Sequence, residues 1–112
     1  MARTQKNKKV DEKNYLEYVV QGKWFAYSGR IYKDNQTETE KCTITPITLS
    51  LNNFFTLKGC KLFQTDKNAW IAGPSYQNKK GDYVSYLYID EKLNDDMDAV
   101  VAEIEKLLEK MI

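Results

Sequence analysis

The sequence predicts an α+β domain: a strongly curved antiparallel sheet of about four to six strands followed by one C-terminal α-helix. Three observations carry that expectation. From Tyr15 to Ile89, aromatic and β-branched residues recur in short runs cut by Gly22, Gly29, Asn52-Asn53, Pro74 and Gly81, which is strand and turn chemistry. From Leu93 the period changes, because Leu93, Met97, Val100, Ile104, Leu107 and Met111 follow one another at spacings of 4, 3, 4, 3 and 4. A chain of 112 residues has room for one hydrophobic core.

Residues 1–12 read as a mobile basic arm and residues 13–112 as a single domain, since Met1 to Lys9 has almost no apolar content. Tyr15 to Tyr32 reads as β-structure bent at Gly22 and Gly29, with a helical turn over Lys13 to Val19 as the second choice. Asp34 to Glu40 lacks apolar residues and reads as a loop or hairpin connection, and as the interior segment expected to be disordered. Cys42 to Leu51 alternates as a strand, and Pro46 places it at an edge or a bend, because proline cannot donate to the ladder. Asn52-Asn53 makes a turn.

Phe54 to Gln64 is the next strand. In it Phe55 and Leu57 oppose Thr56 and Lys58 until Gly59 breaks the register. A bulge at Gly59 returns Lys61 to the side of Lys58 and turns Cys60 and Leu62 inward. Asn68 to Gly73, stopped by Pro74, and Asp82 to Ile89 read as two short strands separated by a loop over Ser75 to Lys80, with Lys79 and Lys80 at its tip. In the final helix Asn94 is the expected cap, Asp95 and Asp96 suit the positive end of the dipole, and Lys106 and Lys110 suit its negative end. Val101 and Leu108 widen the apolar stripe enough to cover a sheet and meet a second helix in a homodimer.

Composition excludes several classes of function. Apolar residues at 42% and charged residues at 29% are ordinary for a globular chain. The lysine-rich start lacks a signal-peptide core, and no apolar run reaches the roughly 18 residues that span a bilayer. A cytoplasmic protein is expected, with Cys42 and Cys60 as free thiols. Histidine is absent, so neither a zinc ligand set nor the usual general base exists. Phosphate loops and dinucleotide fingerprints are missing too. No catalytic residue, metal or cofactor is expected.

Net charge is only +1, but it is polarised. Residues 1–33 hold eight basic groups against three acidic ones, a balance of +5, while residues 91–112 hold three against seven, a balance of −4. One part of the molecule therefore suits a polyanion and another repels it. Phe55 to Gly81 adds lysines interleaved with rings, the combination that holds unpaired polynucleotide through its phosphates and exposed base faces.

Strand parity groups Trp24, Arg30 and Tyr32 opposite Phe25, Tyr27 and Ile31, and core faces rarely carry arginine. Lys58 and Lys61 share a face through the bulge, and Tyr86 and Tyr88 share one opposite Leu87 and Ile89. With Trp70 and the tip lysines Lys79 and Lys80, these residues form the expected nucleic-acid-binding set. For Trp24 and Trp70 the competing reading is that each fills the interior.

The stretch carries a resemblance as well. Lys58 and Lys61 on one strand, the turn Thr65 to Asn68, a short strand closing on Pro74-Ser75, and the turn Lys80-Gly81 before an aromatic strand are similar to the stage V sporulation protein G family. The likeness spans roughly Thr45 to Leu108. It implies a small cytoplasmic DNA- and RNA-binding protein with a bent four-stranded sheet, one helix and a dimeric state. The chain departs from that pattern in Trp70, Tyr83, Tyr86 and Tyr88 and in its long N-terminal segment, which favours generic strand binding. In size, basic N-terminus and ring content it also resembles small single-stranded-DNA-binding proteins of phages infecting lactic-acid bacteria, some of which use a variant OB-fold. That likeness makes an OB-fold variant barrel the alternative architecture.

The expected function is binding of single-stranded DNA, with RNA as the other candidate strand, without sequence preference, in DNA replication or recombination. A sequence-selective DNA or RNA regulator and a protein-interaction module are the alternatives.

Overall fold

The computed structural model describes residues 15–110; the arm expected over residues 1–12 and the last residue of the apolar stripe, Met111, lie outside the described residues. In chain order the elements are β1 (Leu16–Gln21), β2 (Ala26–Ile31), a 3-10 turn (Lys33–Asn35), β3 (Thr37–Glu38), β4 (Thr43–Leu51) and β5 (Phe55–Gln64). Then come β6 (Ala69–Ala72), β7 (Ser75–Gln77), β8 (Tyr83–Ser85), a second 3-10 turn (Glu91–Leu93) and the helix α1 (Asn94–Glu109). The architecture is α+β. The antiparallel sheet runs β1-β2-β4-β5-β6, with β3 beside β4, and β7 and β8 form a separate hairpin.

Period-two alternation builds the inner face. Tyr18, Tyr27, Ile31, Ile47, Leu49, Cys60 and Leu62 all point into it and are buried. The helix presents Met97, Val100, Val101, Ile104 and Leu108 to the same core. Its backbone runs closest to β1 and β6, the two edge strands, and passes further from the strands between them. A flat sheet would hold those edges about 19 Å apart, nearly twice the diameter of a helix, so the sheet curls around α1. The shape is compatible with a barrel-like or OB-like closure.

The apolar stripe of α1 packs on its own sheet. Its exposed residues include Asp95, Asp98, Ala99, Ala102, Lys106 and Glu109, while Leu107 of the stripe stays partly exposed. Asn94 does not cap. A 3-10 turn precedes the helix, and Asp90 Oδ1 accepts the Lys92 N–H at 2.9 Å in its place.

Other expectations are corrected as well. Pro46 lies in β4, which has neighbours on both sides, yet costs the ladder nothing. Its carbonyl accepts from Tyr32 N at 3.0 Å, and the missing N–H falls where β2 ends and β3 has not begun. The segment expected to be disordered, Asp34 to Glu40, contains the end of a 3-10 turn and β3, and Gln36 Nε2 donates to the buried Thr45 hydroxyl at 2.9 Å. The loop expected over Ser75 to Lys80 opens instead with a strand, Ser75–Gln77. The last strand stops at Ser85 rather than Ile89: Pro74, opposite Tyr86, accepts its N–H but has none to return, and the chain then seats Ile89 against the core.

Two close contacts lock this frame. Tyr18 lies opposite Gly29 and reaches across it, its hydroxyl donating to Thr48 O at 2.7 Å. A Cβ on Gly29 would stand 2.1 Å from that same carbonyl. At the β1-β2 turn, the Asp96 carboxylate accepts from Lys23 N at 2.7 Å, Trp24 N at 3.0 Å and the Tyr27 hydroxyl at 2.8 Å. Burial draws the Asp96 pKa upward, but the hydrogen bonds from Trp24, Lys23, Tyr27 and the Phe25 backbone outweigh it and hold it below the ordinary value of 3.8. Burial and the Asp96 carboxylate raise the Tyr27 phenol in turn.

Two outcomes follow from these contacts. Gly29→Ala must move backbone to clear Thr48 and is expected to remove most of the cooperative urea transition, whereas Gly73→Ala, with a 3.4 Å contact to Leu87, leaves the midpoint nearly unchanged. Because the folded-state pKa of Asp96 is depressed, its contribution is complete above the unfolded-chain value near 3.9 and is lost as pH falls through the lower folded value. Asp96→Asn is therefore expected to lower the thermal midpoint at pH 7 by roughly 5–10 °C and to flatten the acid limb of midpoint against pH.

Candidate nucleic-acid interface

The outer face of the sheet is left open by the helix. Its centre is a bulge: Ile47 pairs with Cys60 and Leu49 with Leu57, so Thr48 alone faces both Lys58 and Gly59. Gly59 takes φ +86°, a conformation that L side chains rarely adopt. Without the extra residue, Lys58 and Lys61 would fall on opposite faces. With it, both are exposed on the outer face while Cys60 and Leu62 are buried beneath. Thr48 also satisfies the irregularity on its other side, where its Oγ1 accepts the Arg30 N–H at 2.9 Å.

A groove of about 860 Å³ lies over this bulge. Arg30, Tyr32, Lys58 and Lys61 line it, with Thr48, Ser50 and Thr56 supplying hydroxyls and Glu17 an acid at one margin. Arg30 is held by rings: its guanidinium stands 4.3 Å from the Tyr15 centroid, and the Tyr15 and Tyr32 rings meet edge to face at 6.0 Å. A hydrogen bond to Tyr32 raises the Arg30 pKa further against a smaller opposing effect of burial, so the group stays cationic. In the floor, burial pushes the Cys60 thiol up to about 11, which keeps it protonated at neutral pH.

A second depression of about 560 Å³ opens between β6 and residues 85–89, and it gathers Trp70, Tyr86 and Tyr88. Trp70 lies on the outer face, 46% exposed, its ring stacked on Phe63 at 5.5 Å and 4°. Tyr86 leans on Tyr76 at 4.9 Å. The two depressions adjoin, since Lys61 of the groove pairs with Ala72 of the crevice, and a Cβ on Gly59 would lie 3.4 Å from Pro74.

The structure thus brings Arg30, Tyr32, Lys58 and Lys61 together, and Trp70, Tyr86 and Tyr88 beside them. Three expected residues stand elsewhere. Trp24 is not in a strand: it sits in the β1-β2 turn, 54% exposed, with Lys23 Nζ 5.7 Å from its ring. Its face is fixed by the Asp96 clamp rather than by strand parity. Lys79 and Lys80 are exposed at the tip of the β7-β8 hairpin, where the Asn78 side chain accepts from Lys80 N and Asp82 N.

Sequence reasoning missed Phe63 and Tyr15. Once the bulge is granted, parity already assigns Phe63 to the face of Lys61. Tyr15 carried no such signal, because its role depends on β1 lying next to β2. No protein-family model matches the chain, and no curated protein or solved structure matches it either.

Proposed function

We propose that this protein binds single-stranded DNA, without sequence preference, along the open face of its sheet. The observation that carries the reading is the convergence of Arg30, Lys58 and Lys61, drawn from two non-adjacent strands, into one groove that adjoins a crevice walled by Trp70, Tyr86 and Tyr88. Cations that meet on one face displace condensed counterions from phosphates, and rings beside them stack on unpaired bases. A duplex offers the phosphates but hides the base faces, so it satisfies only half of this surface. A role in DNA replication or recombination suits such a binder. Base-edge readers on a groove-entering helix, which sequence-selective regulation of a duplex needs, do not fit here, because the helix is acidic and packs on the opposite face.

With three cations in contact, log affinity for oligo(dT) is expected to fall against log salt with a slope of about −2, at roughly 0.7 per phosphate contact. Lys58→Ala combined with Lys61→Ala should reduce that slope by about 1.4 and weaken binding at low salt, with thermal stability kept. Duplex of equal length should compete poorly in filter binding or anisotropy. Equal competition by duplex, or an unchanged slope in the double variant, overturns the reading.

A further inference from the structure

We infer that the β6 crevice is a slot for a single unpaired nucleobase, seated against the Trp70 indole, and that Phe63 is the positioning residue that holds this indole ready. The inference rests on the strand-binding reading and assigns its base-recognising part. Two of the three crevice rings are braced by another ring: Trp70 stacks nearly parallel on Phe63, and Tyr86 packs on Tyr76. One face of Trp70 is occupied by Phe63, and the indole is still half exposed toward the crevice. A flat apolar wall with one face fixed and one face open suits a planar aromatic ligand, and offset stacking at such a surface is sequence-tolerant because every base has a π-face.

The position of the crevice identifies the ligand as part of a strand rather than a free aromatic metabolite. Lys61 and Ala72 are cross-strand neighbours, so the cationic groove ends where the crevice begins. A backbone held by Arg30, Lys58 and Lys61 would deliver its next base to Trp70. The other rim is exposed Tyr88, while Leu87 lies against Gly73 and Ile89 packs on the core, which fixes the segment as a wall. Pre-set rings lose little side-chain freedom on binding, and that lowers the cost of ordering the site. Phe63 is needed because β6 is an edge strand only four residues long, and Trp70 would otherwise have open sheet surface beside it.

The test uses the Trp24→Phe protein, in which Trp70 is the remaining tryptophan. Labelled oligo(dT) and an abasic strand of the same length are compared by anisotropy and by Trp70 emission. Oligo(dT) is expected to quench the emission strongly. The abasic strand should bind through its phosphates roughly tenfold more weakly and leave the emission unchanged. Phe63→Ala should lose most of the quenching and bind oligo(dT) roughly tenfold more weakly with its circular dichroism retained, and Phe63→Tyr should restore both.

Equal affinity and equal quenching by the abasic strand overturn the slot while strand binding stands. Full quenching in Phe63→Ala overturns the bracing role alone. Failure of both strands to bind at low salt removes the slot together with the reading beneath it.

Discussion

The pairing of Thr48 with both Lys58 and Gly59 sets the chemistry of the open face. Side chains in a regular strand alternate, so cations three residues apart oppose one another across the sheet. One additional residue cancels that opposition. It turns Lys58 and Lys61 outward together, keeps Cys60 and Leu62 in the core, and forces a left-handed backbone that glycine tolerates without strain. The neighbouring strand adapts to the same irregularity, because Thr48 offers its hydroxyl to Arg30 N and its carbonyl to Tyr18. Arg30 therefore joins the lysines through the geometry of a single bulge.

That bulge can exist only in a frame held at its margins. Gly29 lets Tyr18 cross the sheet, and Asp96 ties the turn between β1 and β2 to the start of α1. The helix in turn reaches both edge strands, so its burial is what curls the sheet. Asp96 is worth most where it is: a carboxylate removed from water is costly unless its lone pairs are filled, and the backbone N–H groups of the turn and the Tyr27 hydroxyl fill them. The same contacts remove Trp24 from the strand row that parity assigned to it. A residue two positions before a strand does not inherit that strand's facing.

The fold was legible because its signals are local. Alternation placed Tyr27, Ile31, Cys60 and Leu62 inside, the helical period placed Met97, Val100 and Ile104 on one stripe, and a glycine within a strand announced the bulge. The site was legible only in part. Lys58, Lys61 and Arg30 met as the pattern implied because each lies in a strand whose facing is set by burial on the other side, and Tyr32, one residue past the end of β2, follows them into the groove. What the pattern could not carry was adjacency. Whether Tyr15 meets Arg30, whether Phe63 backs Trp70, and whether Pro46 falls at a gap all depend on strand order and on where β2 ends, which are tertiary facts.

Charge polarity completes the physical case. A net charge of +1 draws no polyanion by itself, and a helix rich in Asp and Glu would repel one. The sheet separates the two. Arg30, Lys58 and Lys61 occupy its outer face, while the acidic side of α1 looks away from the inner face, across a helix of about 10 Å diameter and the sheet's own thickness. That distance exceeds the Debye length of about 8 Å at physiological ionic strength, so the acidic side is screened from a strand on the outer face, whereas contacts within the groove act at a few ångströms and are screened far less. Under the proposed strand-binding role the helix can therefore stay acidic without weakening the groove, and its charge disfavours approach of a polyanion to that face.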